Sequence, residues 1–252
     1  MLKIIDVIYV LKLKKNDPSE LEQNVKKFFP ETKIQYFNVN GISIDKNEGK
    51  IDLSLWNIIK HNTVDTIAKD ITQNHIKIIQ EAYNNNYDTI LILEEDARIV
   101  DTKNINMENI NKWLSNNEWD IFYFGYCNWP ILCSFFITSN IVKISSPLLT
   151  HAYMLSKRGM EKILNYTENG NKNMNQHIDK LYLNISNAQK YGIFPMIAFQ
   201  NKNAALFTKA LDKININLSM NTACKISQYI SIIIPIVLII LLVFSLFKIF
   251  FF

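Results

Sequence analysis

The chain is poor in the residues that would point to several common classes. It has 252 residues but only three cysteines, Cys127, Cys133 and Cys224. That excludes a disulfide scaffold, and their spacing matches no zinc site. Glycine and proline number six each, and neither GxGxxG nor a Walker loop occurs. This argues against a dinucleotide-binding fold and a P-loop enzyme. Arginine is scarcer still. Of 27 lysines and arginines only two, Arg98 and Arg158, are arginine, although net charge is +4. Without arginine forks or a basic stripe, no nucleic-acid partner is expected. The N-terminus lacks a signal-peptide pattern, because Asp6 interrupts its apolar run.

What is abundant is Asn, Ile and Lys, a bias that suits a low-GC genome and strips most asparagines of meaning. Hydrophobic residues make up 48% and charged residues 20%, which excludes disorder and supplies a core. The C-terminus stands apart. Ile230–Phe247 carries no charge. As a helix its eighteen residues reach about 27 Å, close to a bilayer core, and Lys248 can snorkel. A transmembrane tail anchor is expected over 226–252, behind a polar linker at 201–225. The remainder is expected to face the cytosol, where the sequons at Asn165, Asn184 and Asn217 would be silent.

Residues 1–200 alternate between strand-like and helix-like stretches. Ile4–Leu11, Lys33–Asn38, Thr89–Leu93, Trp119–Phe124, Phe135–Ile137 and His151–Leu155 suit strands. Gly192–Ala198 is a late extended segment. Ser19 with Glu22 can form a capping box for a helix to Phe28. Ile67, Ile71, His75, Ile79 and Ala82 share one helical face. Ser156 can cap a helix through Leu164, and Ile178, Leu181, Tyr182 and Ile185 mark another. The expected class is α/β, with a mostly parallel sheet flanked by helices and a C-terminal transmembrane helix.

Glu94, Glu95 and Asp96 directly follow the TILIL strand. Ligands of open α/β sheets bind beyond the carboxyl ends of the strands. Continued extended geometry would aim Glu94 and Asp96 to one side and Glu95 to the other. Carboxylates about 6 Å apart repel by about 2–3 kcal/mol at an effective dielectric near 20. A divalent cation, Mg²⁺ or Mn²⁺, would turn that cost into ligation and could grip a nucleotide diphosphate. An acid triplet equally suits a solvated turn. His75 admits a core role or a site role, and so does His151 at the start of its strand. Asp179 early in a helix equally suits a favourable position near the helix N-terminus. Trp119, Trp129 and Tyr153 could stack on sugar rings but also suit a core.

The surroundings of the triplet resemble a known family. The block QNHIKIIQEAYNNNYDTILILEEDARI is similar to the Ser-His…ILEDD block of glycosyltransferase family 25. IDVIYVLKLKKND resembles that family's opening strand, and WDIFYFG its internal wDilyLG strand. THAYMLSKRGMEKIL resembles its hAYliskkGAkkLl block. HIDKLYL with YGIFPMIAFQ resembles its ending. The blocks fall in the family's order and span residues 1–200. The resemblance implies a GT-A-like fold, a nucleotide-sugar donor, a glycan or glycoconjugate acceptor, and usually an inverting transfer. It implies Glu94 and Asp96 as ligands of Mn²⁺ or Mg²⁺ and the diphosphate, with Glu95 beside the sugar. It places His75, His151 and Tyr153 at the substrates and Asp179 as general base. His177 is a further metal ligand or a neighbour that tunes Asp179.

The sequence departs from the pattern at several points. Asp70-Ile71 replaces a Gly-Cys pair, Asn74 a serine and Met160 an alanine, and His177 precedes Asp179 instead of following it. These departures raise an alternative, a tail-anchored binding or scaffold module without activity. A metal-dependent phosphoesterase is a third reading, but it lacks the further carboxylate and histidine clusters that such sites use.

Overall fold

The computed structural model describes residues 2–12, 19–38, 66–100, 103, 105–128, 134–200 and 220–251. Twelve strands and six helices lie within them. They run β1 (Val7–Lys12), α1 (Ser19–Phe28), β2 (Lys33–Asn38), α2 (Thr66–Asn84), β3 (Thr89–Glu94) and β4 (Ala97–Ile99). Next come α3 (Met107–Asn116), β5 (Ile121–Tyr123), β6 (Cys127–Asn128), β7 (Ser134–Thr138), β8 (Ile141–Ile144) and β9 (Pro147–Leu148). The chain continues through β10 (Ala152–Ser156), α4 (Lys157–Tyr166), α5 (Ile178–Asn184), β11 (Lys190–Ile193), β12 (Ala198–Gln200) and α6 (Met220–Phe251).

Eight strands form the central sheet in the order β2-β1-β3-β10-β5-β11-β8-β7. β1 pairs in parallel with β2 and β3, and β5 with β11. β10 enters between β3 and β5 antiparallel to both, and β8 lies antiparallel to its neighbours β11 and β7. Six of the eight strands therefore share one direction, with β10 and β8 reversed. Two short pairs, β4 with β12 and β6 with β9, lie apart from this sheet.

The period-2 alternation of the strands sorts their side chains into two core layers. Ile8, Val10, Leu91, Leu93, Phe122 and Met154 pack with Leu21 and Val25 of α1 and Ile110 and Leu114 of α3. Val7, Tyr9, Leu11, Ile90, Ile92, Ile121, Tyr123 and Tyr153 pack on the other face, with Ile79, Met160, Leu181 and Tyr182 of α2, α4 and α5. Central strands covered on both faces need a continuous apolar run, which explains why Thr89–Leu93 does not alternate with polar residues.

Local signals set several boundaries. The Ser156 hydroxyl accepts from Gly159 N, the expected cap of α4. Asn106 caps α3 by accepting from Asn109 N. At α1, Glu22 of the expected capping box accepts from the Tyr36 hydroxyl at 2.7 Å and pairs with Lys26.

The C-terminal helix begins earlier than expected. Of the proposed linker 201–225, residues 201–219 lie outside the described residues, and 220–225 are already helical. The first turns of α6 belong to the fold: Cys224, Gln228, Ser231 and Ile232 are buried. Asn221 Nδ2 donates to Gln200 O, Gln228 Oε1 accepts from Met196 N, and Asn128 Nδ2 donates to both Ser231 Oγ and Ser134 Oγ. Beyond this base the helix leaves the domain, and every residue from Ile236 to Phe244 is exposed. Cys224–Phe244 is long and apolar enough to cross a membrane.

Candidate functional site

β3 ends at Glu94, and Glu95 and Asp96 form a turn into β4. The extended geometry expected through Asp96 therefore stops two residues short. Beyond this carboxyl edge of the sheet lies a cavity of about 240 Å³. Glu94, Thr150, His177, Asp179 and Gln200 supply its polar lining, and Ala68, Ile71, Leu149 and Ile178 its apolar wall. Three expected site residues, Glu94, His177 and Asp179, meet here from segments more than eighty residues apart. His177 stands at the N-cap of α5, and the Asp179 carboxylate accepts from Lys180 N at 2.7 Å.

Glu94 is fixed from behind. Its backbone N–H donates to His151 O at 2.9 Å, and Thr150 Oγ1 donates to its Oε1 at 3.3 Å. His75 Nε2 lies 3.5 Å from the same oxygen, an electrostatic contact and not an aligned hydrogen bond. Burial pushes the Glu94 carboxyl up, but His75, His151 and Thr150 together outweigh it and hold the group below its usual range. The other nitrogen of the His75 ring meets the Tyr153 hydroxyl at 2.7 Å, and that hydroxyl meets the Tyr182 hydroxyl at 2.7 Å. A buried polar chain thus runs from Glu94 through α2 and β10 to α5, the helix that carries Asp179. Burial, with Tyr182 beside it, pushes the Tyr153 phenol well up, and burial raises Tyr182 too, so both hydroxyls stay protonated at neutral pH.

His75, His151 and Tyr153 were the expected substrate contacts. All three are buried, and none lines the cavity. They form the layer behind Glu94. His151 Nε2 sits 3.2 Å from Ala198 O, and burial pushes its pKa down. Gly125 makes that packing possible: a Cβ there would stand 2.3 Å from Ala198 O and 2.4 Å from His151 Nε2. Trp119 is also core, donating from Nε1 to Leu114 O, while Trp129 lies outside the described residues.

The metal set also changes. Among the described residues no three His, Cys, Asp or Glu side chains stand close enough to hold an ion, so Glu94, Asp96 and His177 are not a ready-made triad. Asp96 stands in the turn after β3 and does not line the cavity. Its Oδ1 is buried without a hydrogen-bond partner. Burial, with Glu94 and Glu95 beside it, pushes its carboxyl up to about 6. A pair of carboxylates fits Mg²⁺ or Mn²⁺ when phosphates and water complete the shell. Glu95, whose N–H donates to Leu11 O, does not line the cavity.

Leu149, Thr150 and Gln200 are site residues that the sequence reading missed. Leu149 has φ +75°, a conformation that L side chains rarely adopt, and it turns the chain from β9 into the cavity wall. A glycine or asparagine would have advertised that turn. Leucine gives no signal.

No protein-family model matches the chain, and no curated protein matches it. Among solved structures it is similar to a protein from STIV, with 10% identity and a TM-score of 0.45, over 78% of this chain and 85% of that one. It is similar to a glycosyltransferase involved in the glycosylation of the major capsid of PBCV-1, with 14% identity and a TM-score of 0.40, over 82% and 89%. A UDP-glucose pyrophosphorylase complexed with UDP-glucose matches with 8% identity and a TM-score of 0.42, over 83% and 81%.

Proposed function

We propose that the chain is a nucleotide-sugar-dependent glycosyltransferase with a GT-A-like domain. It would move a hexose, galactose or glucose, to a glycan or glycoconjugate acceptor with inversion. The observation that carries this reading is the convergence around Glu94. Blocks scattered over the sequence resemble one transferase family, and four of them contribute to a single cavity or to the layer directly behind it. His75 and Glu94 come from one block, Thr150, His151 and Tyr153 from the THAY block, and His177, Asp179 and Gln200 from the ending block. The opening block adds Leu11, whose carbonyl anchors the turn after Glu94.

In this mechanism the Asp179 carboxylate takes the proton of the acceptor hydroxyl as its oxygen attacks the anomeric carbon. The bond from that carbon to the phosphate oxygen breaks, and the nucleoside diphosphate leaves with the electron pair. Glu94 and Asp96 would hold Mn²⁺ or Mg²⁺, which when bound balances the charge of the diphosphate. His177, two residues before Asp179 in the cavity lining, would tune Asp179 or add a metal ligand. His75 and Tyr153 are positioning residues that keep Glu94 in place. In the cell α6 would be a tail anchor, with the domain on the cytosolic side and its acceptor at the membrane.

The test uses the full chain in detergent with a panel of nucleotide sugars, with and without Mn²⁺. One donor is expected to raise the melting temperature in a Mn²⁺-dependent way and to be consumed with an acceptor. Asp179→Asn is expected to lower kcat by about 10²–10⁴-fold with the fold intact. Unchanged kcat in that variant would remove the base role. A folded chain that answers no donor would return the scaffold module to first place.

A further inference from the structure

The apolar run of α6 is divided between two surroundings. From Ile226 to Phe247 it carries no charge over 22 residues. As a helix these reach about 33 Å, the thickness of one bilayer core. The domain holds the first part of this run. Gln228, Ser231, Ile232 and Pro235 form a stripe that is buried against it. The part clear of the domain, Ile236–Phe247, reaches only about 18 Å. Counting on to Phe251, where α6 ends, gives about 24 Å, still short of a core of about 30 Å. A spanning α6 therefore carries some of its domain-packed turns below the membrane surface. The outer side of those turns suits this, because Ile226, Tyr229, Ile233 and Ile234 are exposed there.

The domain wall at this level is also free of charge. One residue in five of the whole chain is charged, yet no Asp, Glu, Lys or Arg occurs from Ile121 to Val142. This stretch includes β7, the strand at one edge of the sheet. Ser134 Oγ of β7 meets Ser231 Oγ of α6 at 3.2 Å. Phe136 packs edge-on against Phe194 with ring centroids 5.1 Å apart, and Phe194 against Tyr229 of α6 at 5.3 Å. β7 thus runs beside α6 between the levels of Tyr229 and Ser231. Its Phe135, Phe136 and Ile137 are all about half exposed. The first charge after the stretch, Lys143, lies opposite Phe135 on β8 and is exposed, and its long stem can lift the ammonium to the headgroups.

We infer that β7 rests in the membrane that α6 spans, with Phe135, Phe136 and Ile137 among the upper acyl chains. The domain is then sunk into the bilayer along this edge and not held above it. The inference rests on the spanning reading of α6, and it does not need the transferase chemistry. The immersion is shallow, since Tyr229 and Ser231 lie about 5 and 8 Å past Ile226 along the helix axis. Tyrosine suits the membrane boundary. At that depth water of the headgroup layer still reaches the open N–H and C=O groups of the edge strand, which the bilayer centre would not allow. The polar side chains of α6 at this level are already paired with the domain, Gln228 with Met196 N and Ser231 with Asn128. A second copy paired along β7 would cover the strand but leave Ile226 and Ile233 of α6 in water, so lipid fits the whole surface better.

The experiment maps lipid contact on the full chain. The protein is reconstituted in nanodiscs of phosphatidylcholine that carries a diazirine near the glycerol end of one acyl chain. After irradiation the labelled peptides are read by mass spectrometry. Label is expected on β7 and on α6 from Ile233 onward, about tenfold above that on β2 at the opposite edge of the sheet. Phe135→Glu combined with Ile137→Glu, at two exposed positions, should lower the β7 label about tenfold and leave the α6 label unchanged. Label on α6 with none on β7 overturns the inference and leaves the span standing. No label on either overturns the span and the inference with it. An unlabelled β7 together with a chemically cross-linked dimer shows a second copy on the strand, and the inference falls. Undiminished β7 label in the double variant shows that these side chains do not seat the strand in lipid, which overturns it as well.

Discussion

Two buried acidic corners lie at opposite ends of the sheet, and they are built on opposite principles. Asp120 precedes β5 at the amino end of the parallel strands. It is fully buried and saturated: Arg158 Nε donates at 2.7 Å, Lys162 Nζ at 2.8 Å and Gln189 N at 2.6 Å. Arg158 also reaches Glu118. Glu94 and Asp96 lie at the carboxyl end. There one histidine and one threonine face the first acid, and the second keeps a buried oxygen without a partner. A carboxylate whose acceptor positions are all taken holds a fold together. One left short of partners instead costs the fold stability.

The contrast breaks most visibly at Asp120. Asp120→Ala strands two cations and a backbone N–H, and it should lower stability by about 3 kcal/mol. The low end of the range applies because both cations reach solvent in part. Chemical denaturation of the full chain in detergent measures it, and a loss under 1 kcal/mol would show that Asp120 is no keystone. Next in size is Tyr153→Phe, which cuts the chain between His75 and Tyr182. A stability loss of about 1–2 kcal/mol is expected, together with an altered activity–pH profile, because a loosened His75 ring no longer holds the Glu94 carboxyl down. A stability loss with an unaltered profile would confine Tyr153 to packing.

A third effect has the opposite sign. Unfolded, Asp96 titrates near about 3.9, and folded at about 6. At pH 4 the carboxyl is mostly protonated in the folded state, so its charge costs little. As pH rises toward about 6 the folded state is increasingly penalised, and the penalty is complete above that. Asp96→Asn should therefore stabilise the metal-free chain by about 1–2 kcal/mol at pH 7 and by almost nothing at pH 4. Melting curves at the two pH values decide it. Equal stabilisation at both would mean that the gain is not electrostatic.

Much of the sheet was legible in the sequence, because the buried strands are short β-branched runs with no competing pattern. Lys33–Asn38 was read with the boundaries it has, and TILIL falls inside β3. The reversal of β10 was not legible. His151–Leu155 reads as a strand in either direction, and its antiparallel entry depends on the left-handed turn at Leu149, which a leucine conceals. Helix α3 was missed for a different reason. Its cap is an asparagine, and asparagine is so common here that Asn106 looked like background. The same discount hid Asn128, which ties β6 to β7 and α6. Of the residues that line the cavity, the sequence singled out Glu94, His177 and Asp179. It could not separate the residues that line the cavity from those one layer behind, since both kinds sit in the same blocks.

The base of α6 carries a consequence for reach. A helix of 32 residues is about 48 Å long, and its first turns are bolted to the domain by Asn128, Gln228 and Ser231. From Ser227 onward one continuous helix, with Pro235 inside it, joins the part that would sit in lipid to the part that holds Glu94. A tethered domain on a loose linker sweeps a hemisphere and meets acceptors at many heights. One mounted on a stiff post works at a single height and heading, like a tool on a fixed arm. Acceptors would then be sorted by how far their reactive hydroxyl stands above the bilayer, a selection by distance that no side chain in the cavity has to make.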